Sequence, residues 1–301
     1  MTLTCKKPTF SLVDLGLLLT VLLWAANIPI VKAALAELSP LSFDALRMGG
    51  AALLTVICTW IIERDLSLPR EAWIQVVVLG FIGHFCYQIL FIVGLARTTA
   101  SVSGLLLGTS PLFVALIGTL TRTEKLAAWN WAGVVLAFLG ACLLAVAAGS
   151  RLALSSQTLW GNLMTLGAAL MWGAYTALSR HLVQRISPLK ATAWTMVAGV
   201  PLLCFAAIPA LRSQNWQAVS PPAWLGLAYS SVLAIALAYV LWTTGVQRLG
   251  SARTSVYHYL VPVGTVLLAR ILLGESLRPL QLVGAAAVLI GIALVRYRRE
   301  A

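Results

Sequence analysis

Trp24-Ala25-Ala26-Asn27-Ile28-Pro29-Ile30-Val31-Lys32 is the stretch whose reading decides the fold. It sets an indole, an amide and a proline inside an apolar run from Leu12 to Leu35. A bilayer crossing takes about 20 such residues. The stretch also has a second copy. Moving 148 residues along takes Trp24, Lys32, Ser39, Pro40 and Leu41 to Trp172, Arg180, Ser187, Pro188 and Leu189. From the third apolar run onward the offset is 151. Ala72-Trp73 then meets Ala223-Trp224, Gly94 meets Gly245 and Arg97 meets Arg248. Pro111 meets Pro262, Glu124 meets Glu275, Gly133 meets Gly284 and Gly140 meets Gly291. An insertion of three residues between Arg212 and Pro222 accounts for the change of offset.

Outward from this repeat, ten apolar runs are legible, near 12–35, 42–62, 73–96, 98–121, 129–148, 160–182, 189–211, 223–247, 251–272 and 280–297. Each half, 1–150 and 151–301, holds five. Five is odd, so the second copy enters the membrane from the opposite side. The expected fold is an all-α polytopic membrane protein of ten helices, two inverted five-helix repeats around a central cavity, an architecture of secondary transporters.

Composition agrees. The 301 residues are 60% hydrophobic and 10% charged, against roughly a quarter charged in soluble domains. The net charge of +12 does not point to nucleic acid, because no basic run is long and Lys/Arg stand almost wholly between apolar runs. With the N-terminus cytoplasmic, Lys6, Lys7, Arg64, Arg70, Arg122, Lys125, Arg180, Arg185, Lys190, Arg248, Arg253, Arg296, Arg298 and Arg299 fall inside. Lys32, Arg47, Arg97, Arg151, Arg212, Arg270 and Arg278 fall outside. That bias puts both termini in the cytoplasm. The first run is too long for a signal-peptide core, so no cleavage is expected. Cys5, Cys58, Cys86, Cys142 and Cys204 are scattered and read as packing residues.

The polar residues within the runs fall on helical faces. Trp24 and Asn27 share a side of the first run, as do Trp172 and Tyr175 of the sixth. His84, Tyr87 and Gln88 follow i, i+3, i+4 spacing; Tyr239, Trp242 and Thr243 repeat it. His258 lies on a side with Ser251, Thr254 and Ser255. Unpartnered polar groups are costly in hydrocarbon, so these stripes face a cavity or another helix. Trp24, Asn27, His84, Tyr87, Gln88, Trp172, Tyr175, Tyr239, Trp242 and His258 are the expected substrate-binding set. Pro29, Pro111 and Pro262 each free a carbonyl one turn back and are the expected hinges. Gly133, Gly140, Gly284 and Gly291, seven apart in their runs, suit close helix packing or a homodimer contact. All nine acidic residues, Asp44 among them, read as lying near run ends or in loops, with Glu124 and Glu275 as caps or Arg partners. No mid-membrane ion relay follows from them. No cofactor or metal motif is legible.

Trp24-x-x-Asn27, Arg47, the Gly94…Pro111…Glu124…Gly133…Gly140 series and, in the second half, Gly250-Ser251-Ala252-Arg253, Tyr259-Leu260-Val261-Pro262, Leu273-Gly274-Glu275 and Gly284…Gly291 resemble the EamA-type members of the drug/metabolite transporter superfamily. The resemblance covers nearly the whole chain. It implies ten helices, a cavity between the halves, and transport of small solutes across a bacterial inner membrane, often export of amino acids or related metabolites. Tyr175 stands where Asn27 does in the first copy, so the two copies differ chemically.

The reading that results is a secondary transporter of small amphipathic solutes, most simply an amino-acid or metabolite exporter, acting by alternating access. Facilitated diffusion, or weak proton coupling through His84, fits better than sodium coupling. Multidrug or lipophilic-cation efflux is the alternative. An intramembrane enzyme finds no activated nucleophile or carboxylate pair. A channel would be recognised by flux that does not saturate. The expected partners are the small-molecule substrate and the bilayer, not nucleic acid.

Overall fold

The computed structural model describes residues 10–122, 126–147, 156–264 and 279–296. Its helices follow the predicted order: α1 Leu12–Ala34, α2 Pro40–Glu63, α3 Arg70–Arg97, α4 in two pieces (Ala100–Leu107 and Ser110–Leu120), α5 Ala128–Ala147, α6 Ser156–Val183, α7 Pro188–Ser213, α8 Pro221–Leu249, α9 from Ser251 to residue 264, and α10 Pro279–Arg296. Among the described residues, α1, α2, α3, α4, α7 and α8 are long and apolar enough to cross a membrane by length and composition. Helix α6 is long enough but more polar, with Thr165, Thr176 and Ser179 buried along it.

The duplicated Ser-Pro-Leu is a helix start. Ser39 and Ser187 hold extended N-cap geometry, and Pro40 and Pro188 follow where no backbone N–H is needed. Helix α1 begins with a capping box between Ser11 and Asp14. Lys32, at its far end, donates from Nζ to Leu95 O and Thr98 O, both at 2.7 Å, closing the C-terminus of α3. Gly250 joins α8 to α9 with φ 89°, a conformation that favours glycine.

The two halves run in opposite senses. Helix α2 lies against its mate α7, and the pair is tied at both ends. Ser39 N donates to Gln214 Oε1 at 2.8 Å where α2 begins and α7 ends; Lys190 Nζ donates to Asp65 Oδ2 at 2.7 Å where α2 ends and α7 begins. Helices α5 and α10 are likewise antiparallel, Gly133 facing Gly291 and Gly140 facing Gly284. A Cβ on Gly133 or Gly140 would stand 2.7 Å from the opposite glycine's carbonyl oxygen. The predicted glycine stripes are therefore occupied within the chain.

The regular helices are interrupted at matching places. Widened turns span Phe81–Cys86 in α3 and Ser230–Leu237 in α8, which overlap at an offset of 151. Helix α4 breaks at Gly108-Thr109, just before Pro111, and the freed Leu107 carbonyl accepts from Ser110 Oγ at 2.6 Å. Helix α9 tightens into a narrower turn at Val256–Tyr259, just before Pro262. Pro29 leaves α1 continuous. Glu124 and Glu275 lie outside the described residues, as do Cys5, Lys6, Lys7, Lys125, Arg151, Arg270, Arg278, Arg298 and Arg299.

Candidate functional site

The centre of the bundle is an aromatic cluster built from repeat mates. Trp24 and Trp172 meet edge to face, centroids 5.4 Å apart and planes at 82°. Trp24 also touches Tyr239, Trp242 and His258, with centroids at 6.1, 5.0 and 5.4 Å. Trp172 touches Tyr87 at 5.1 Å, Tyr175 at 5.4 Å and Tyr239 at 5.0 Å. His84 lies against Tyr175 at 5.2 Å and Tyr239 at 5.8 Å. Such pairs are worth about 0.5–1.5 kcal/mol each beyond their buried area, so the cluster holds the two halves together.

Polar contacts fix the rings. The indole N–H of Trp24 donates to Ala234 O at 2.8 Å, a carbonyl within the widened turn of α8. Trp242 donates to Thr176 Oγ1 at 3.1 Å. Gln88 Nε2 donates to Tyr239 Oη at 3.0 Å; these two are themselves repeat mates, 151 residues apart. Ser110 Oγ lies 2.7 Å from His258 Nδ1. With the Ser110 proton on Leu107 O, Nδ1 of His258 is the donor.

A cavity opens within this cluster. Trp24, Asn27, Tyr87, Gln88, Trp172, Tyr239 and His258 of the expected set line it, with Ile28, Arg47, Phe91, Leu107, Ala234, Ile235 and Val261. Its volume is about 40 Å³. A water needs roughly 10–15 Å³ on this measure, and small-molecule pockets run to roughly 300–1,000 Å³. The cavity is too small for a solute of that size, which would enter only if helices part. Two wall atoms, Asn27 Oδ1 and Trp172 Nε1, are buried without a hydrogen-bond partner among the described residues. His84, Tyr175 and Trp242 stand behind the wall. His84 is fully buried between α3 and α7, with Nε2 3.0 Å from Thr195 Oγ1.

The charged part of the site is absent from the sequence reading, which set Arg47 among outer flanking charges and Asp44 near a run end. The structure corrects both. Asp44 is 0% exposed and Arg47 2%, and Arg47 Nε donates to Asp44 Oδ1 at 2.6 Å. Arg47 Nη2 donates to Gln88 Oε1 at 2.9 Å and Nη1 to Ser230 Oγ at 3.2 Å, linking α2 to α3 and α8. Its guanidinium also stands 5.5 Å from the Phe43 ring centre and 5.2 Å from that of Phe91. Arg47 is the eighth residue of α2, about 10 Å along at 1.5 Å per residue, too deep for a flanking charge. The signal was available: a carboxylate and a guanidinium three apart share one helix face and can neutralise each other inside an apolar segment.

Comparison with known proteins agrees with this architecture. Residues 11–146 and 159–297 each match the EamA-like transporter family. An uncharacterized transporter of Bacillus subtilis is 27% identical over 89% of this chain and 88% of its own length. A protein of Streptantibioticus cattleyicolor described as a probable terminal-alkyne amino-acid exporter is 29% identical over 94% of this chain and 93% of its own. A solved crystal structure, 19% identical, superposes with a TM-score of 0.77 over 95% of this chain and 98% of its own, a likeness of fold. A family match in each half, two antiparallel halves and a narrow cavity where they meet lead to one assignment: the chain belongs to the EamA-like transporter family.

Proposed function

We propose that this chain is a secondary transporter that exports amino acids or related small amphipathic metabolites by alternating access. The halves 1–150 and 151–301 rock about the aromatic cluster, in a bacterial inner membrane with both termini cytoplasmic. The observation that carries the reading is the narrow cavity at the meeting of the repeats. Its wall combines ring faces for apolar or cationic groups with the unpartnered Asn27 Oδ1 and Trp172 Nε1 for polar ones. The irregular turns before Pro111 and Pro262 are the bends where α4 and α9 would yield. The amino-acid exporter among the relatives supports the substrate class.

The test is counterflow of labelled amino acids into liposomes containing the purified chain. Saturable uptake is expected, with at least a tenfold loss in Trp24→Ala, since that change removes the ring at the centre of the cluster. No flux of any amino acid in a wide panel would sink the amino-acid reading. Competition by a lipophilic cation would shift it towards drug efflux, and flux linear in concentration towards a channel.

A further inference from the structure

We infer that Arg47 is the carboxylate anchor of the transported solute and that the site selects free acids over amides and amines; this rests on the amino-acid reading above. Among the described residues that line the cavity, Arg47 is the one carrying a full charge. A guanidinium has five N–H donors. Three are bonded, to Asp44, Ser230 and Gln88, which leaves one on each terminal nitrogen without an acceptor among the described residues. A carboxylate offers two oxygens that a planar guanidinium grips with directional, charge-assisted bonds.

The rest of the wall fits the same class of solute. Trp172 Nε1 is a second donor with nothing to donate to, and Asn27 Oδ1 is an acceptor with nothing to accept. A zwitterion supplies both complements, its carboxylate for the N–H groups and its ammonium for the amide oxygen. The surrounding rings of Trp24, Tyr87 and Tyr239 take an apolar side chain. Asp44 does not line the cavity; it holds Arg47 from behind and offsets its charge, so the anchor is tolerated when the site is empty. Arg47 also bonds α3 and α8, so a solute that engages it meets a residue already tied to both halves.

The experiment titrates the full chain in detergent with leucine, phenylalanine and lysine, each as free acid, carboxamide and decarboxylated amine, following the fluorescence of the clustered tryptophans. At least one free acid is expected to bind about tenfold or more tighter than its amide and amine, the scale of losing a hydrogen bond to a charged group. The same titration is repeated with Arg47→Gln and with the double variant Arg47→Gln/Asp44→Asn, which leaves no lone buried carboxylate. The acid preference is expected to vanish in whichever variant folds. Equal binding of acid, amide and amine by the natural protein, or a preference that survives loss of Arg47, overturns this inference and leaves the transport reading standing. Binding of no free acid also overturns this inference, while the transport reading stands or falls on the counterflow panel.

Discussion

Helices α2 and α7 occupy equivalent places in the two repeats, yet they solve the burial of polar groups in different ways. At an offset of 148, Asp44 corresponds to Thr192 and Arg47 to Thr195. In α7 both hydroxyls bond back along the helix, Thr192 Oγ1 to Pro188 O and Thr195 Oγ1 to Ala191 O, each at 2.8 Å. They then reach other helices, Thr192 through Thr243 and Thr195 through His84. In α2 a full ion pair takes their place and extends into α3 and α8. The two helices keep equivalent places in the fold, while the charged pair is placed on one side only.

The largest expected effect comes from making α2 chemically like α7. Arg47→Thr alone strands Asp44 in the interior, and breaking a buried pair in this way costs about 3–5 kcal/mol. Adding Asp44→Thr removes the stranded charge, so the double variant should recover most of the loss. Thermal unfolding of both in detergent checks this. Equal losses in the single and double variants would mean that the ion pair's own attraction, rather than the stranded charge, sets the cost.

The second comparison is between Trp24 and Trp172. They are repeat mates within one cluster, but only Trp24 has an acceptor, Ala234 O, for its indole N–H. Trp24→Phe therefore removes a hydrogen bond and leaves a carbonyl bare, a loss of about 1–2 kcal/mol. Trp172→Phe removes no hydrogen bond and should cost clearly less stability. If Trp172 Nε1 serves the solute, that variant instead weakens substrate binding. Unfolding and fluorescence titration, run together on the two variants, separate the roles.

Much of the fold was legible because the bilayer leaves few choices. Long apolar runs become helices, and the doubled Trp24 and Ser39-Pro40-Leu41 patterns announce the repeat. Aromatic residues at helical spacing converge because they are the large groups that fill a helix junction. The ion pair left a signal in the sequence, Asp44 and Arg47 three apart on one helix face, that counting loop charges masks. Counting loop charges assigns each Lys or Arg to the nearer membrane face, and Arg47 lies only eight residues into its helix. Whether such a residue bends outward to water or inward to a partner depends on Gln88 and Ser230, 41 and 183 residues away in the chain. His84 shows the converse: its spacing on α3 with Tyr87 and Gln88 is right for the cavity, but it sits within the widened turn Phe81–Cys86, and it packs against α7.

The smallest expected effect distinguishes the two ends of the α2–α7 contact. At one end Lys190 joins α7 to Asp65, whose carboxyl is held well below the usual carboxylate range by the Lys190 hydrogen bond and then by Ser67. At the other, Glu37 is lowered by the backbone and side chain of Ser220, while α2 and α7 themselves meet through uncharged Ser39 and Gln214. A carboxyl lowered in the folded state stabilises the fold above its unfolded value, about pH 4, and that contribution fades as pH falls towards the folded value. Acid should therefore loosen the Asp65 end and leave the Ser39–Gln214 bond intact. Asp65 is 54% exposed, so solvent screens the pair and the effect on overall stability is slight. Hydrogen exchange at the start of α7, followed from neutral pH down to about pH 3, resolves it better than a melting curve. Exchange there, corrected for the intrinsic pH dependence, is expected to rise on acidification in the natural protein. In Asp65→Asn it should already be raised at neutral pH and change less. A similar acid response in both proteins would place the pH-sensitive contact elsewhere, with Glu63, which lies 3.7 Å from Lys190 and accepts from Ser187, as the next carboxylate to replace.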